Sequence, residues 1–338
     1  MHRMLMVVVA LAALAVVVSS AFATAPAKNG RIAFKRYLDA AHETGGAIFT
    51  INPNGSGERQ VTHPDRGTVD DQPDWAPDGT RILFQRCPSD SVCRAASVRP
   101  DGSDLHYLTP GCPAGHGPPD CTEAWDPAYS PDGHKIALGI ASGRVKVVPG
   151  GDQIEKFTLV VMKADGSGQQ PVFQLDDYKG DLKAPQFSPD GRRLVFDQKN
   201  SRFGVPNNGR AVFVINVDGT GLRRITPWQL DAGGNPDWSP NGKLLLFCSN
   251  GDVKTKQSQV YVARADGTGL KQITHFKRGT TVLSYSFSPD GHWITFAKSG
   301  VNGEPDVFVM RANGTHIRPV TRTKLWDSAP DWGPRLAR

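Results

Sequence analysis

Asn235-Pro236-Asp237-Trp238-Ser239-Pro240-Asn241-Gly242, followed by Lys243 and the apolar run 244–247, is one copy of a phrase repeated about every fifty residues. Its turn recurs as Trp75-Ala76-Pro77-Asp78-Gly79, Tyr129-Ser130-Pro131-Asp132-Gly133, Phe187-Ser188-Pro189-Asp190-Gly191 and Phe287-Ser288-Pro289-Asp290-Gly291, with a worn copy at Trp332-Gly333-Pro334. A second turn falls between successive copies: Asn54-Gly55, Asp101-Gly102, Asp165-Gly166, Asp218-Gly219, Asp266-Gly267 and Asn313-Gly314. Gly supplies positive φ, Pro presets its own φ, and Asp or Asn bonds its own backbone, so each motif residue has a local mechanical task. Six copies of each turn mean six units. A period of this length built from strands and tight turns marks a β-propeller or a similar array.

The copy around Trp238 shows how one unit is built. Residues 235–238, 243–247, 259–263 and 270–274 are four short segments of alternating or continuous apolar character, separated by turn residues. One unit is therefore one four-stranded antiparallel sheet. Residues 31–35 match the second strand of a unit, and the missing first strand appears only at Ala329-Pro330-Asp331-Trp332. The two ends of the chain share a sheet, which closes the ring and removes exposed strand edges. The expected fold is all-β: a six-bladed propeller whose N- and C-terminal strands share one blade.

The Pro-Asp-Trp-Ser-Pro-Asp-Gly phrase with its apolar strand, and the Ala-Asp-Gly-Thr-Gly-Leu-x-x-Ile-Thr phrase at 265–274, resemble the WD40-like (PD40) propeller repeats of the TolB family. The resemblance covers nearly all of the chain after residue 23. It implies an exported six-bladed propeller that works by protein contact and without catalysis. TolB proper carries an α/β domain ahead of its propeller, and here only a few residues lie between the expected cleavage site after Ala23 and Arg31. Whatever that domain does in the Tol-Pal envelope system is not carried over.

The start of the chain fits export. Met1-His2-Arg3, the apolar run 4–18 and Ala21-Phe22-Ala23 have the layout of a secretory signal peptide cut after Ala23. The organisation read from the sequence is thus a signal peptide over 1–23 and a propeller over 24–338. An uncleaved membrane anchor is the competing reading, against which the apolar run is short of the about 20 residues of a span. The expected location is secreted or periplasmic, with no stable membrane span after cleavage, and the expected state is a monomer. The net charge of +6 is spread along the chain, and nothing in it asks for nucleic acid. Five cysteines suit an exported chain. The short loops suggest disulfides Cys87 to Cys93 and Cys112 to Cys121, with Cys248 a buried thiol; a crossed pairing between the two loops stays open, and so does a zinc site.

In such a blade the two repeated turns lie on one face of the ring, and the irregular segments lie on the other. Those segments are 143–155, 198–210, 249–258 and 298–304, with the blade connections 110–123 and 175–183. Function tends to sit on variable loops held by a rigid scaffold, so the loop-rich face is the expected binding face. The innermost strands begin there, at the channel mouth, and just upstream of their aromatics stand Asp70, Asp71, Glu123, Asp126, Asp181, Asp231 and Asp327. Converging carboxylates suit a metal ion, calcium first, or a basic peptide or lysine side chain; the plainer reading has them capping turns and bonding neighbouring blades. Trp125, Phe203, Trp228 and Trp326 either stack on a ligand or fill wedges between blades.

Catalytic motifs are missing from the sequence. There is no G-x-S-x-G elbow, HExxH pair, phosphate loop or dinucleotide fingerprint. The expected function is a non-catalytic binding scaffold for an envelope or extracellular protein, with a glycan as the less favoured partner and no cofactor beyond the divalent cation. The alternative is a metal-dependent polysaccharide lyase or hydrolase using the propeller channel.

Overall fold

The computed structural model describes residues 28–42, 44–89, 92–112, 122–142, 146–148, 151–153, 156–176, 181–199, 209–249, 257–300 and 303–336. The expected signal peptide, Cys121 and Phe203 lie outside them. The strands form six four-stranded antiparallel units. From the channel outward, blade I holds Val69–Trp75, Ile82–Cys87, Arg94–Val98 and His106–Tyr107. Blade II holds Glu123–Tyr129, Lys135–Ser142, Lys156–Lys163 and Gln170–Asp176. Blade III runs from Leu182–Phe187 to Arg223–Arg224, blade IV from Ala232–Trp238 to Lys271–Gln272, and blade V from Thr281–Phe287 to Arg318–Pro319.

Blade VI joins the two ends of the chain. Asp327–Pro334 is innermost, followed by Asn29–Tyr37, Gly46–Ile51 and Arg59–Gln60. Asn29–Tyr37 pairs antiparallel with Asp327–Pro334 on one side and with Gly46–Ile51 on the other. The closure expected from the sequence is therefore present, and the fold is the all-β propeller that the repeat implied.

The second strand of each blade forms its core. Phe34, Phe84, Leu138, Phe196, Phe247 and Phe296 occupy the same position in successive blades and are fully buried. In four blades the residue paired across the sheet is also aromatic: Phe34 with Phe49, Phe196 with Phe213, Phe247 with Tyr261 and Phe296 with Phe308, with ring centroids 5.7–6.2 Å apart. Each such burial contributes about 1.5–3 kcal/mol.

The turns do the work expected of them. In the first turn Ser130 Oγ donates to Asp132 Oδ1 at 2.6 Å and accepts from Lys135 N at 2.9 Å; Ser188, Ser239 and Ser288 repeat the arrangement. Blade I has Ala76 at the serine position, and there Asp78 bonds Thr80 N and Oγ instead. In the second turn the Asp or Asn accepts the backbone and hydroxyl of the Ser or Thr two residues on, as Asp266 does from Thr268 at 2.8 and 2.7 Å. Its glycine has a φ of +84° to +88° in all six copies and packs on a carbonyl of the preceding blade.

Three details differ from the sequence reading. The outermost strands are two residues long in every blade except II, because the Ile-Thr end of the repeat leaves the ladder while its threonine bonds the third strand, as Thr274 Oγ does with Val260 N. Segment 143–155, read as an irregular loop, carries an added hairpin of Lys146–Val148 and Gly151–Gln153. Trp125 belongs to an innermost strand rather than to a loop.

Candidate functional site: the channel and its mouth

The phrase Pro-Asp-aromatic sets the channel wall. Gln72, Asp126, Ala184, Asn235 and Ala329 each precede a proline and have a φ of +50° to +71°. At each of these points the innermost strand slips its register against the second strand. The slip is a bulge that turns consecutive side chains toward the ring axis. Blade V has Tyr285 at the proline position and shows the register shift without positive φ at Ser284.

Two tiers of side chains result. The deeper tier carries Asp74, Gln186, Asp237, Ser286 and Asp331 around a cavity of about 40 Å³. Three of its carboxylates staple neighbouring blades: Asp74 accepts Tyr129 N at 2.8 Å, Asp237 accepts Phe287 N at 2.7 Å, and Asp331 accepts Trp75 N at 2.8 Å. Burial pushes the Asp237 carboxyl up to about 7. Asp74 is raised well above the carboxylate range by burial and then by the charge of Asp331, and burial also raises Asp331. In the upper tier, the Asn235 amide of blade IV donates to Gln72 Oε1 of blade I, bridging the channel from opposite sides.

Above that bridge the mouth opens into a cavity of about 490 Å³ on the loop-rich face. Asp71, Glu123, Asp126 and Asp197 line it with Lys183 and Arg210, beside the amides of Gln72, Gln85 and Asn235 and the ring of Trp125. Trp125 lies 5.6 Å from Phe157, and the Lys183 ammonium stands 5.5 Å from its ring centroid. Asp126 accepts Ala184 N at 3.1 Å, and burial pushes its carboxyl up to about 6. Glu123 accepts Cys93 N at 3.4 Å, tying the mouth to the Cys87–Cys93 disulfide. Cys112 is also disulfide-bonded. Cys248 is a buried free thiol pushed up to about 12 by burial, which leaves it inert.

Of the seven acids singled out in the sequence, Asp71, Glu123 and Asp126 meet in this cavity. The other four are held by arginines, three through the guanidinium and Asp231 through a backbone N–H. Asp70 takes Arg86 in a two-pronged pair at 2.6 and 2.7 Å, and Asp327 takes Arg36 at 2.6 and 2.8 Å. Asp181 pairs with Arg210 at 2.8 Å, and Asp231 accepts Arg210 N at 2.7 Å. Asp71 itself pairs with Lys35 at 2.8 Å. The mouth is thus a mixed-charge surface rather than a ring of free acid. Among the described residues, no group of three or more His, Cys, Asp or Glu side chains is placed to hold a metal ion. Trp228 packs on Phe213 and Trp326 on Tyr37 and His42, so both fill wedges in the ring.

Sequence reasoning passed over the channel tier of Asp74, Asp237 and Asp331. Its signal was present: Pro-Asp-Trp recurs at 73–75, 236–238 and 330–332, two residues ahead of each turn proline. Among the cations, Arg36 and Arg86 share a position two residues after the buried Phe of the second strand, whereas Lys35 and Arg210 follow no such pattern.

The fold and its bridged channel define a closed six-bladed β-propeller with a polar mouth. The family model of the TolB beta propeller domain (PD40) matches residues 139–337, and the chain belongs to that family. TolB from Acinetobacter baumannii shares the fold, with a TM-score of 0.68 at 15% identity over 90% of this chain and 67% of that one. An oligogalacturonate lyase in complex with manganese also shares it, with a TM-score of 0.56 at 16% identity over 82% of this chain and 71% of that one. An uncharacterized protein of Agrobacterium fabrum is 26% identical over 149 residues, 44% of this chain and 46% of that protein. The chain spans 46% of that relative and 18% of another, a tricorn-like protease subunit of Sulfurisphaera tokodaii, so it matches less than half the length of either.

Proposed function

We propose that this propeller is an exported, non-catalytic binding scaffold that receives an extended segment of an envelope or extracellular protein at its channel mouth. The observation that carries the reading is the mouth cavity of about 490 Å³, where carboxylates, an ammonium, a guanidinium, side-chain amides and one indole stand on rigid strands. Such a surface offers hydrogen bonds of both polarities with little ordering cost. The amide bridge between Gln72 and Asn235 forms its floor. Export rests on the layout of residues 1–23. Within the described residues, no helix is long and apolar enough to cross a membrane.

A crosslinked pull-down from native envelope material tests the reading, comparing the wild type with Glu123→Gln/Lys183→Gln. These two side chains form no ion pair among the described residues, whereas replacing Asp327 or Asp70 would strand a buried arginine. A protein captured by the wild type and lost by the variant supports the scaffold; equal capture by both removes the mouth as its site. A divalent cation at the mouth would draw on Glu123 and Asp126, and a calcium titration followed by thermal melting tests that part. Metal-dependent cleavage of an envelope polysaccharide by the pure protein would replace the scaffold reading with the lyase or hydrolase alternative.

A further inference from the structure

The face opposite the mouth carries a second concavity. It lies between blades III and IV, has a volume of about 610 Å³, and is lined by Arg193, Arg223, Lys243 and Arg264 with Asp266 and the Asn241-Gly242 turn. These cations behave unlike the arginines that hold the acids of the mouth. Arg36, Arg86 and Arg210 each bind one or two carboxylates. None of the four groove cations has a carboxylate within ion-pair distance among the described residues.

The one acid among the described residues of the groove is already engaged. Asp266 accepts Thr268 N and Oγ, and those bonds, the hydroxyl's first, hold its carboxyl below the usual range. Four cations against one carboxylate leave a net charge of about three in a single concavity. Part of the array is positioned in advance: the Arg193 guanidinium lies 4.8 Å from the ring centroid of Trp238. Arg223 donates only a long bond of 3.4 Å, to the Asp266 carbonyl, and Arg264 only one of 3.2 Å, to Thr268 Oγ. Among the described residues, most of their N–H donors meet no acceptor and can take a ligand.

We propose that this groove is a binding site for phosphate groups. A guanidinium fork matches two oxygens of a carboxylate or a phosphate. A planar carboxylate is satisfied by one fork, whereas a tetrahedral, multiply charged phosphate presents oxygens to donors arriving from two blades at once. The groove supplies that arrangement, with Arg193 and Arg223 from blade III and Lys243 and Arg264 from blade IV. The same phosphate chemistry can arrive free in solution or on a lipid headgroup.

The test is calorimetric titration of the folded protein with inorganic pyrophosphate, beside cosedimentation with phosphatidylglycerol vesicles. The expected result is saturable binding that weakens with added salt. Arg193→Gln/Arg264→Gln should weaken it at least tenfold, while Arg311→Gln, in the neighbouring blade V groove, leaves it unchanged. Should the first pair disturb folding, Arg223→Gln/Lys243→Gln at exposed positions gives the same comparison. Pyrophosphate binding without vesicle binding assigns a soluble ligand, and vesicle binding lost in the paired variant assigns a headgroup. The proposal is overturned if neither probe binds, if citrate binds as tightly as pyrophosphate, or if Arg311→Gln weakens binding as much as the groove variants. Because this face is remote from the mouth, the Glu123/Lys183 variant keeps phosphate binding whatever its pull-down shows.

Discussion

At the scale of single residues, the same side chain does opposite things according to what surrounds it. Asp290 in a partly buried turn bonds Ser288 Oγ and His292 N, and its carboxyl stays below the usual range, whereas Asp237 in the channel is pushed up to about 7 by burial. An unfolded Asp titrates near ~3.9, so the folded state holds the Asp237 proton across the interval between the two values. Its contribution to stability is therefore present below about pH 4 and lost as pH rises toward 7. Asp237→Asn removes that loss, so the melting temperature of the variant minus that of the wild type should grow from pH 4 to 7 and then level off. Melts across pH 4–8 check it, and a constant difference would contradict the raised value. Arg36 and Asp327 make the complementary case. Asp327→Ala leaves a largely buried guanidinium with only the half-exposed Glu58 as partner, at a cost of about 3 kcal/mol in urea unfolding.

At the scale of the element, the turn glycines couple neighbouring blades. A Cβ at Gly314, whose φ is +86°, would stand 1.7 Å from the Ile273 carbonyl oxygen of the preceding blade. Gly314→Ala should therefore cost about 1–3 kcal/mol. Gly300 has open space around its Cβ position and no positive φ, so Gly300→Ala should stay within about 0.5 kcal/mol of the wild type. Denaturant midpoints of the two variants measured side by side decide the matter. Equal effects would mean that neither the positive φ nor the blade contact at Gly314 resists a side chain.

For the whole molecule, closure is the feature that makes six marginal sheets one structure. A lone four-stranded sheet leaves two edges and two apolar faces open to water. Here Asp327–Pro334 hydrogen-bonds to Asn29–Tyr37, and its Trp332 enters the core shared with Phe34 and Phe49. A chain ending at residue 326 lacks that strand, so its calorimetric transition should move down by more than 10 °C or split, on the order of several kcal/mol lost. A truncated chain melting as one unchanged transition would show that blade VI does not hold the ring together.

The sequence by itself determined the number of units, the two turns, the shared terminal blade and the loop-rich face. All of these follow from local chemistry repeated at a fixed period, such as Pro-Asp-Gly demanding a turn wherever it occurs. It also separated the turn aspartates, which serve their own loops, from the acids near the mouth. It did not reveal which of those acids were free. Asp70 lies 16 residues from Arg86, but Asp327 lies 291 from Arg36, and Gln72 lies 163 from Asn235. The two Asp–Arg pairs do occupy equivalent positions of the repeat, the acid three residues ahead of the channel proline and the arginine two after the buried Phe of the second strand, whereas the contact of Gln72 with Asn235 follows from the ring bringing blades I and IV face to face. Only the tertiary structure turned an apparent ring of acid into paired charges around a mixed-charge mouth, and gathered cations from two blades into one groove on the opposite face.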